Sequence, residues 1–205
     1  STLGYEYTGN FDHGLMDGHG RIEWSDGTVY EGEFARNVIS GKGRYSWPNG
    51  DWYHGDVQCY VRHGEGTFFY KTLDETYEGG WVAGKRHGTG RLDYAGGMCY
   101  KGDWHDDRRT GKGTMTYEAG GVYVGDWVND VRQGAGAMTW RRDGVIVEEY
   151  RGEWLGGTPH GHGTSVYIRP PQHAASAPPT PDTPGAHRDS ALNTYTGEYQ
   201  AGLRH

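Results

Sequence analysis

Residues 29–57, VYEGEFARNVISGKGRYSWPNGDWYHGDV, state a phrase and then begin it again. Tyr30-x-Gly32-x-Phe34 returns as Tyr53-x-Gly55-x-Val57, with Gly41-x-Gly43 between them. Taken outward, the phrase starts at Tyr7, Tyr30, Tyr53, Tyr77, Tyr100, Tyr123, Tyr150 and Tyr195, at intervals of 23, 23, 24, 23, 23, 27 and 45 residues. A glycine follows two positions after each start, and at the fourth position stand Phe11, Phe34, Val57, Trp81, Trp104, Trp127, Trp154 and Tyr199. Eleven residues after each start comes the first glycine of a Gly-x-Gly: Gly18, Gly41, Gly64, Gly88, Gly111, Gly134 and Gly161. That distance never varies, so all variation in length falls after the Gly-x-Gly. Self-similarity at such a period marks a repeat architecture.

Within the unit, Tyr-x-Gly-x-Trp alternates with period two and predicts a strand. Alternation resumes past the Gly-x-Gly at Ile22 and Trp24, Tyr45 and Trp47, Phe68 and Tyr70, Leu92 and Tyr94, Met115 and Tyr117, and Met138 and Trp140. Between the two strands, seven residues past each start, lie Gly14, Asn37, Tyr60, Gly84, Asp107, Asp130, Gly157 and Gly202. Gly, Asn and Asp tolerate the positive φ of a tight reversal; Tyr60 is the exception and leaves that reversal open to a different build. Asp26-Gly27, Asn49-Gly50 and Asp143-Gly144 supply turn signals between units, so hairpin follows hairpin. The expected fold is all-β: an elongated, single-layer antiparallel β-meander of about eight stacked hairpins. Residues 1–168 carry repeats one to seven, and 195–205 the first strand of a truncated eighth.

The glycine between two rings predicts a notch in which a neighbouring aromatic lies on bare backbone. An isolated hairpin is marginal, and stacking buries its rings against the next. The expected interaction surface is this grooved aromatic face: Tyr30, Phe34, Tyr53, Tyr77, Trp81, Tyr100, Trp104, Tyr123, Trp127 and Trp154. On the other face, acids dominate one residue after the start glycine (Glu33, Asp56, Asp103, Asp126, Glu153 and Glu198), and Arg or Thr dominates one residue after the Gly-x-Gly. Cross-strand pairing of these two sets is expected, with a docking stripe for a basic partner as the alternative.

Composition narrows the function. Glycine fills 37 of 205 positions, far above the usual ~7%. The formal net charge of −7 argues against a nucleic-acid partner and makes a membrane partner unexpected. No apolar run approaches the ~18 to 20 residues that span a bilayer, and no signal-peptide pattern follows Ser1. Cys59 and Cys99 form no CxxC pair, which suits a reducing compartment. His63, His87, His160 and His205 share one repeat position and so lie on successive hairpins instead of converging. No metal, cofactor or catalytic residue is expected: HExxH, Gly-x-Ser-x-Gly and P-loop patterns are absent, and no helix follows the Gly-x-Gly pairs. Residues 169–194 hold six of the eight prolines and predict a flexible, partly polyproline-II (PPII) insertion at a joint between hairpins.

The unit Tyr-x-Gly-x-Trp followed by His-Gly-x-Gly, clearest at residues 77–97 (YEGGWVAGKRHGTGRLDYAGG), resembles the MORN repeat. Val57, Tyr60, Ile39-Ser40 and Arg109-Thr110 depart from its pattern. Residues 29–57, 84–94 (GKRHGTGRLDY) and 195–205 (YTGEYQAGLRH) are similar to the MORN-repeat radial spoke head proteins of motile cilia, particularly the radial spoke head ten group. That resemblance implies a non-catalytic axonemal scaffold contacting other radial spoke head proteins, another MORN protein or itself, and central-apparatus projections. Two alternatives stand beside it: a phosphoinositide- or membrane-associated MORN module, and an extracellular carbohydrate-binding hairpin solenoid.

Overall fold

The computed structural model describes residues 4–168 and 193–204. These form one open sheet of sixteen antiparallel strands in strict sequence order. Eight hairpins make it up: β1 (Tyr5–Asp12) with β2 (Leu15–Trp24), β3 (Val29–Ala35) with β4 (Val38–Ser46), β5 (Trp52–Gln58) with β6 (Val61–Tyr70), and β7 (Glu75–Val82) with β8 (Lys85–Asp93). Then follow β9 (Cys99–His105) with β10 (Arg108–Thr116), β11 (Val122–Val128) with β12 (Val131–Arg142), β13 (Val145–Leu155) with β14 (Thr158–Tyr167), and β15 (Asn193–Gln200) with β16 (Leu203–Arg204). The meander read from the alternation is therefore the fold. Two details differ from that reading. The last repeat opens at Asn193, paired with Tyr167, and its second strand has begun at Leu203–Arg204. The rest of the 169–194 stretch lies outside the described residues.

All eight hairpin reversals share one geometry, with positive φ at both central residues. The values are 50° and 68° at Arg36-Asn37, 50° and 81° at Ala83-Gly84, and 49° and 68° at Asp106-Asp107. This is the two-residue turn whose twist matches that of the flanking strands. Cys59-Tyr60, at 48° and 68°, adopts it too, so the bulky residue did not change the reversal. The Tyr60 hydroxyl donates to the Asn37 carbonyl of the preceding turn at 2.5 Å. Each turn from the second onward also hooks the hairpin before it. The second turn residue donates its N–H to a return-strand carbonyl: Asn37 to Met16, Asp107 to Arg86 and Asp130 to Arg109, at 2.9 to 3.0 Å.

The two glycines of Gly-x-Gly do different jobs. The first lies in a bulge: in the second hairpin, Glu33 alone is opposed by Ser40, Gly41 and Lys42, with Gly41 at φ +106°. The second faces the start glycine of its own hairpin and that of the next, as in Gly32↔Gly43↔Gly55↔Gly66↔Gly79. One glycine row thus crosses the sheet. It exists because the start tyrosine lies flat over it: a Cβ at Gly113 would sit 2.4 Å from the Tyr100 hydroxyl oxygen. The bulge leaves the carbonyl three residues past each start outside the regular ladder, and the tyrosine hydroxyl donates to it, from Tyr53 to Asp56 at 2.7 Å and from Tyr100 to Asp103 at 3.1 Å. The ring covers bare backbone and its hydroxyl satisfies a buried acceptor.

Candidate functional site

The ten aromatic residues expected to form an interaction surface do form one column, but the column is the core. Tyr30, Tyr53, Tyr77, Tyr100 and Tyr123 are 0% exposed, and Phe34, Trp81, Trp104, Trp127 and Trp154 are 2 to 4% exposed. Tyr7, Tyr77, Tyr100, Tyr123 and Tyr150 are each gripped edge-to-face from two sides, whereas Tyr30 and Tyr53, which flank Val57, have one such partner each. Tyr100 meets Trp104 of its own strand at 5.2 Å and Trp127 of the next hairpin at 5.3 Å. Such pairs add ~0.5 to 1.5 kcal/mol each beyond area burial. Burial raises the tyrosine phenols, those of Tyr30, Tyr123 and Tyr150 to about 12. A partner laid on this face would meet other side chains.

Two sets of them flank the column. Nine residues past the start, Arg62, Arg86, Arg109 and Arg132 lie 4.4 to 4.6 Å over the next hairpin's Trp81, Trp104, Trp127 and Trp154. Their guanidinium groups also donate to the turn carbonyls of Gly84, Asp107, Asp130 and Gly157. The indoles donate in turn to glycine-row carbonyls, as from Trp81 to Gly66 at 3.0 Å. Sequence reasoning missed this arginine set. Its signal was a fixed offset filled by Met16 and Ile39 in the first two copies and by Arg in the next four. On the joint side, the half-buried Trp24, Trp47, Tyr70, Tyr94, Tyr117 and Trp140 pack against the core and show an edge to solvent, one per hairpin.

The opposite face is polar and carries a trough along the glycine row. A cavity of about 1160 Å³ spans β6 to β13, walled by Glu78, Arg91, Lys101, Lys112, Val124 and Arg151 among others, and a second of about 760 Å³ lies over the first hairpins. The expected pairing of acids with the Arg/Thr set is corrected. Because glycine faces glycine, the acid past the start glycine stands opposite the residue inside the preceding hairpin's Gly-x-Gly: Lys42↔Asp56, Lys112↔Asp126, His162↔Glu198. Lys42 reaches Asp56 at 2.6 Å, Lys112 contacts Asp126, and His162 meets Glu198 at 2.9 Å. The same carboxylates accept backbone N–H groups at their own bulges, Asp56 from Glu65 and Asp103 from Lys112, both at 2.9 Å. Lysine contact and these bonds hold the Asp56 and Asp126 carboxyls below the usual range.

Among the described residues, no group of three or more His, Cys, Asp or Glu is placed to hold a metal ion. His87 and His105 approach with ring centres 4.8 Å apart, while His205 lies outside the described residues. No helix among the described residues is long and apolar enough to cross a membrane.

A single-layer meander with one tyrosine, one glycine row and one bulge per hairpin defines a β-repeat scaffold. The profile described as "MORN repeat" matches residues 7–29, 30–52, 53–74, 77–99, 100–122, 123–145, 150–168 and 195–205, and the chain belongs to the MORN repeat family. A search of the curated proteins finds no match. Among solved structures, the chain is similar to the SAS-4 (dCPAP) TCP domain of Drosophila melanogaster, solved with a proline-rich motif of Ana2 (dSTIL). The TM-score is 0.48 at 12% identity, over 80% of this chain and 83% of that one. It is also similar to the TCP10 domain of Danio rerio CPAP, solved with a STIL peptide, at a TM-score of 0.42 and 14% identity, over 80% and 84% of the two chains.

Proposed function

We propose that the chain is a non-catalytic scaffold and protein-interaction module of a ciliary axonemal complex, the radial spoke head. One observation carries the scaffold part: eight hairpins built to one ruler form a single sheet whose core is its own aromatic column, leaving both faces to solvent and to partners. Single-layer repeat sheets spend their stability on neighbour contacts and offer long surfaces for binding. The ciliary part rests on the resemblance of residues 29–57, 84–94 and 195–205 to radial spoke head MORN proteins. The partners on this reading are other radial spoke head proteins, a second MORN protein or a second copy of the chain, and central-apparatus projections.

The test is localisation of the tagged chain in ciliated cells, followed by salt extraction of axonemes. Co-extraction and co-sedimentation with radial spoke components is the expected result. Exclusion from the axoneme, with the tagged protein folded and expressed, would overturn the assignment. Flotation with phosphoinositide vesicles, or retention on a polysaccharide column, would replace it with one of the two alternatives.

A further inference from the structure

One pair of rings in this sheet stands outside its core. Trp52 opens β5 and Phe69 lies near the end of β6, and the two are ladder partners. Each is one residue from a core ring, Tyr53 or Phe68, and is therefore turned to the polar face. The rings stack, with centroids 5.9 Å apart and planes 29° from parallel. Both are half-buried, yet neither belongs to the aromatic column or packs against it. The fold does not call for them. The same ladder pair is Val29↔Ser46 in the hairpin before, and Cys99↔Thr116 and Val122↔Thr139 in later ones. In no other hairpin is either residue aromatic. A departure confined to one copy, at positions facing away from the core, points to a use outside the fold.

The second observation is a set of donors without acceptors. Arg44 of β4 lays its guanidinium 4.8 Å over the Trp52 ring. Glu31 and His54 stand opposite Arg44 in the ladder, but among the described residues the guanidinium forms no hydrogen bond or ion pair with either, or with any other group. The Trp52 indole N–H likewise has no acceptor there, whereas those of Trp81, Trp104, Trp127 and Trp154 donate to glycine-row carbonyls. Lys71, two residues past Phe69, is exposed and its ammonium is unpaired among the described residues. Ser46 and Thr76, the outer ladder neighbours of the two rings, are uncharged. Of the acids nearby, Glu23 is held by Arg21 and Asp93 by Arg91. Glu31 and Glu78 lie on the row nearer the glycines, and Asp74 lies in the turn beyond β6.

We propose that Arg44, Trp52 and Phe69 form an anchor site for an acidic, aromatic segment of a partner protein. A carboxylate of the segment accepts from the Arg44 guanidinium and the Trp52 indole N–H, and a ring two residues away lies on the exposed surface of the Trp52–Phe69 pair. Alternate residues of an extended chain share a face about 6.8 Å apart, comparable to the steps of 4.8 and 5.9 Å across the stack. Trp and Arg most often carry interface energy, and stacking holds these two in place before a partner arrives. The proposal rests on the reading of the chain as an interaction module, but not on where the chain resides.

The test pans a phage-displayed library of random dodecapeptides on the full chain. Counter-selection uses a chain carrying Trp52→Val and Phe69→Thr, the pair that the sixth hairpin holds as Val122↔Thr139. Retained peptides should share an Asp or Glu two residues from an aromatic. In fluorescence anisotropy they should bind the double variant about ten-fold more weakly or worse. Arg44→Gln should cost about as much affinity as replacing the peptide acid by its amide, with no further loss when both changes are made. Lys101→Ala, elsewhere on the polar face, should change nothing. No peptide that tells the native chain from a double variant of intact circular dichroism, retained peptides without a carboxylate, or additive losses in the Arg44→Gln cycle would each overturn the proposal. So would a dimer of the chain alone that the double variant abolishes in sedimentation, which assigns the rings to self-association. Should the double variant unfold, Phe69→Thr alone takes its place. Failure of the axonemal localisation leaves this measurement unaffected, and the reverse holds.

Discussion

Repeats two and three and repeats four to seven share a backbone but fasten hairpin to hairpin differently. In the first group the seam pairs Met16 with Phe34 and Ile39 with Val57, apolar against apolar, and on the joint side rings lie stacked. The Tyr45–Trp47 and Trp47–Phe68 centroids are 5.6 and 5.4 Å apart, with planes 15° and 28° from parallel. In the second group the seam pairs Arg62 with Trp81, Arg86 with Trp104, Arg109 with Trp127 and Arg132 with Trp154, and Leu92, Met115 and Met138 replace the stacked rings. The lesson is that a seam is written in two adjacent repeats at once, nine residues after one start and four after the next. Arginine occurs at the first of these places where tryptophan occupies the second. An unmatched partner would leave a half-buried guanidinium without its ring, or an indole N–H without its setting.

Four experiments break or sharpen that contrast. The tyrosine column is common to both groups, so alkaline pH should erase the difference. Burial raises the folded phenols above their ordinary 10.0, those of Tyr30, Tyr123 and Tyr150 to about 12. Their contribution to stability is full below pH 10 and is lost as the pH rises from there through about 12, because the unfolded chain ionises first. Phenolate absorbance and circular dichroism should change together in one cooperative step; survival of either half would show that the column does not bind the halves together. Next in size, Trp104→Ala should cost about 3 to 5 kcal/mol in urea unfolding, whereas Val57→Ala at the equivalent place should cost distinctly less. Equal losses would remove the distinction between the seams.

A smaller effect is expected from converting one seam into the other. Ile39→Arg and Val57→Trp should each destabilise the chain, and the double variant should recover about 1 kcal/mol relative to their sum. Additivity would mean that the pairing of Arg with Trp is coincidental. Smallest is Tyr60→Asn, which puts at the third reversal the residue found at the second. It removes the cost of a bulky residue at φ +68° and provides an oxygen for the Ile39 N–H, as Asn37 does for Met16 at 2.8 Å. It should stabilise by about 0.5 to 1 kcal/mol, net of the lost Tyr60–Asn37 bond, as read from the urea midpoint.

Much of the fold was legible because a repeat multiplies every local signal. The start tyrosines, the eleven-residue ruler and the two alternations are enough to place sixteen strands in order. Less legible was what periodicity alone cannot separate. Gly41 and Gly43 look alike in the sequence, yet one is needed for its positive φ and the other for the ring lying on it. Alternation put Tyr100 and Trp104 on one face, but it could not say that a single layer buries them to 0 and 3% by laying each ring along the sheet. The acids were matched to the wrong column because the glycine row reverses the order of partners on either side of itself. The arginine set escaped because its meaning lies in the following copy and its first two members are Met16 and Ile39.

The tight reversals all lie on one margin of the sheet, each hooked to its predecessor, while the joints lie on the other. Growth in chain length is confined to the second margin, where β12 passes into β13 and β14 into β15. Added length is thus accommodated along one flank alone, where it interrupts neither the hooked turns nor the pairing of the strands on either side.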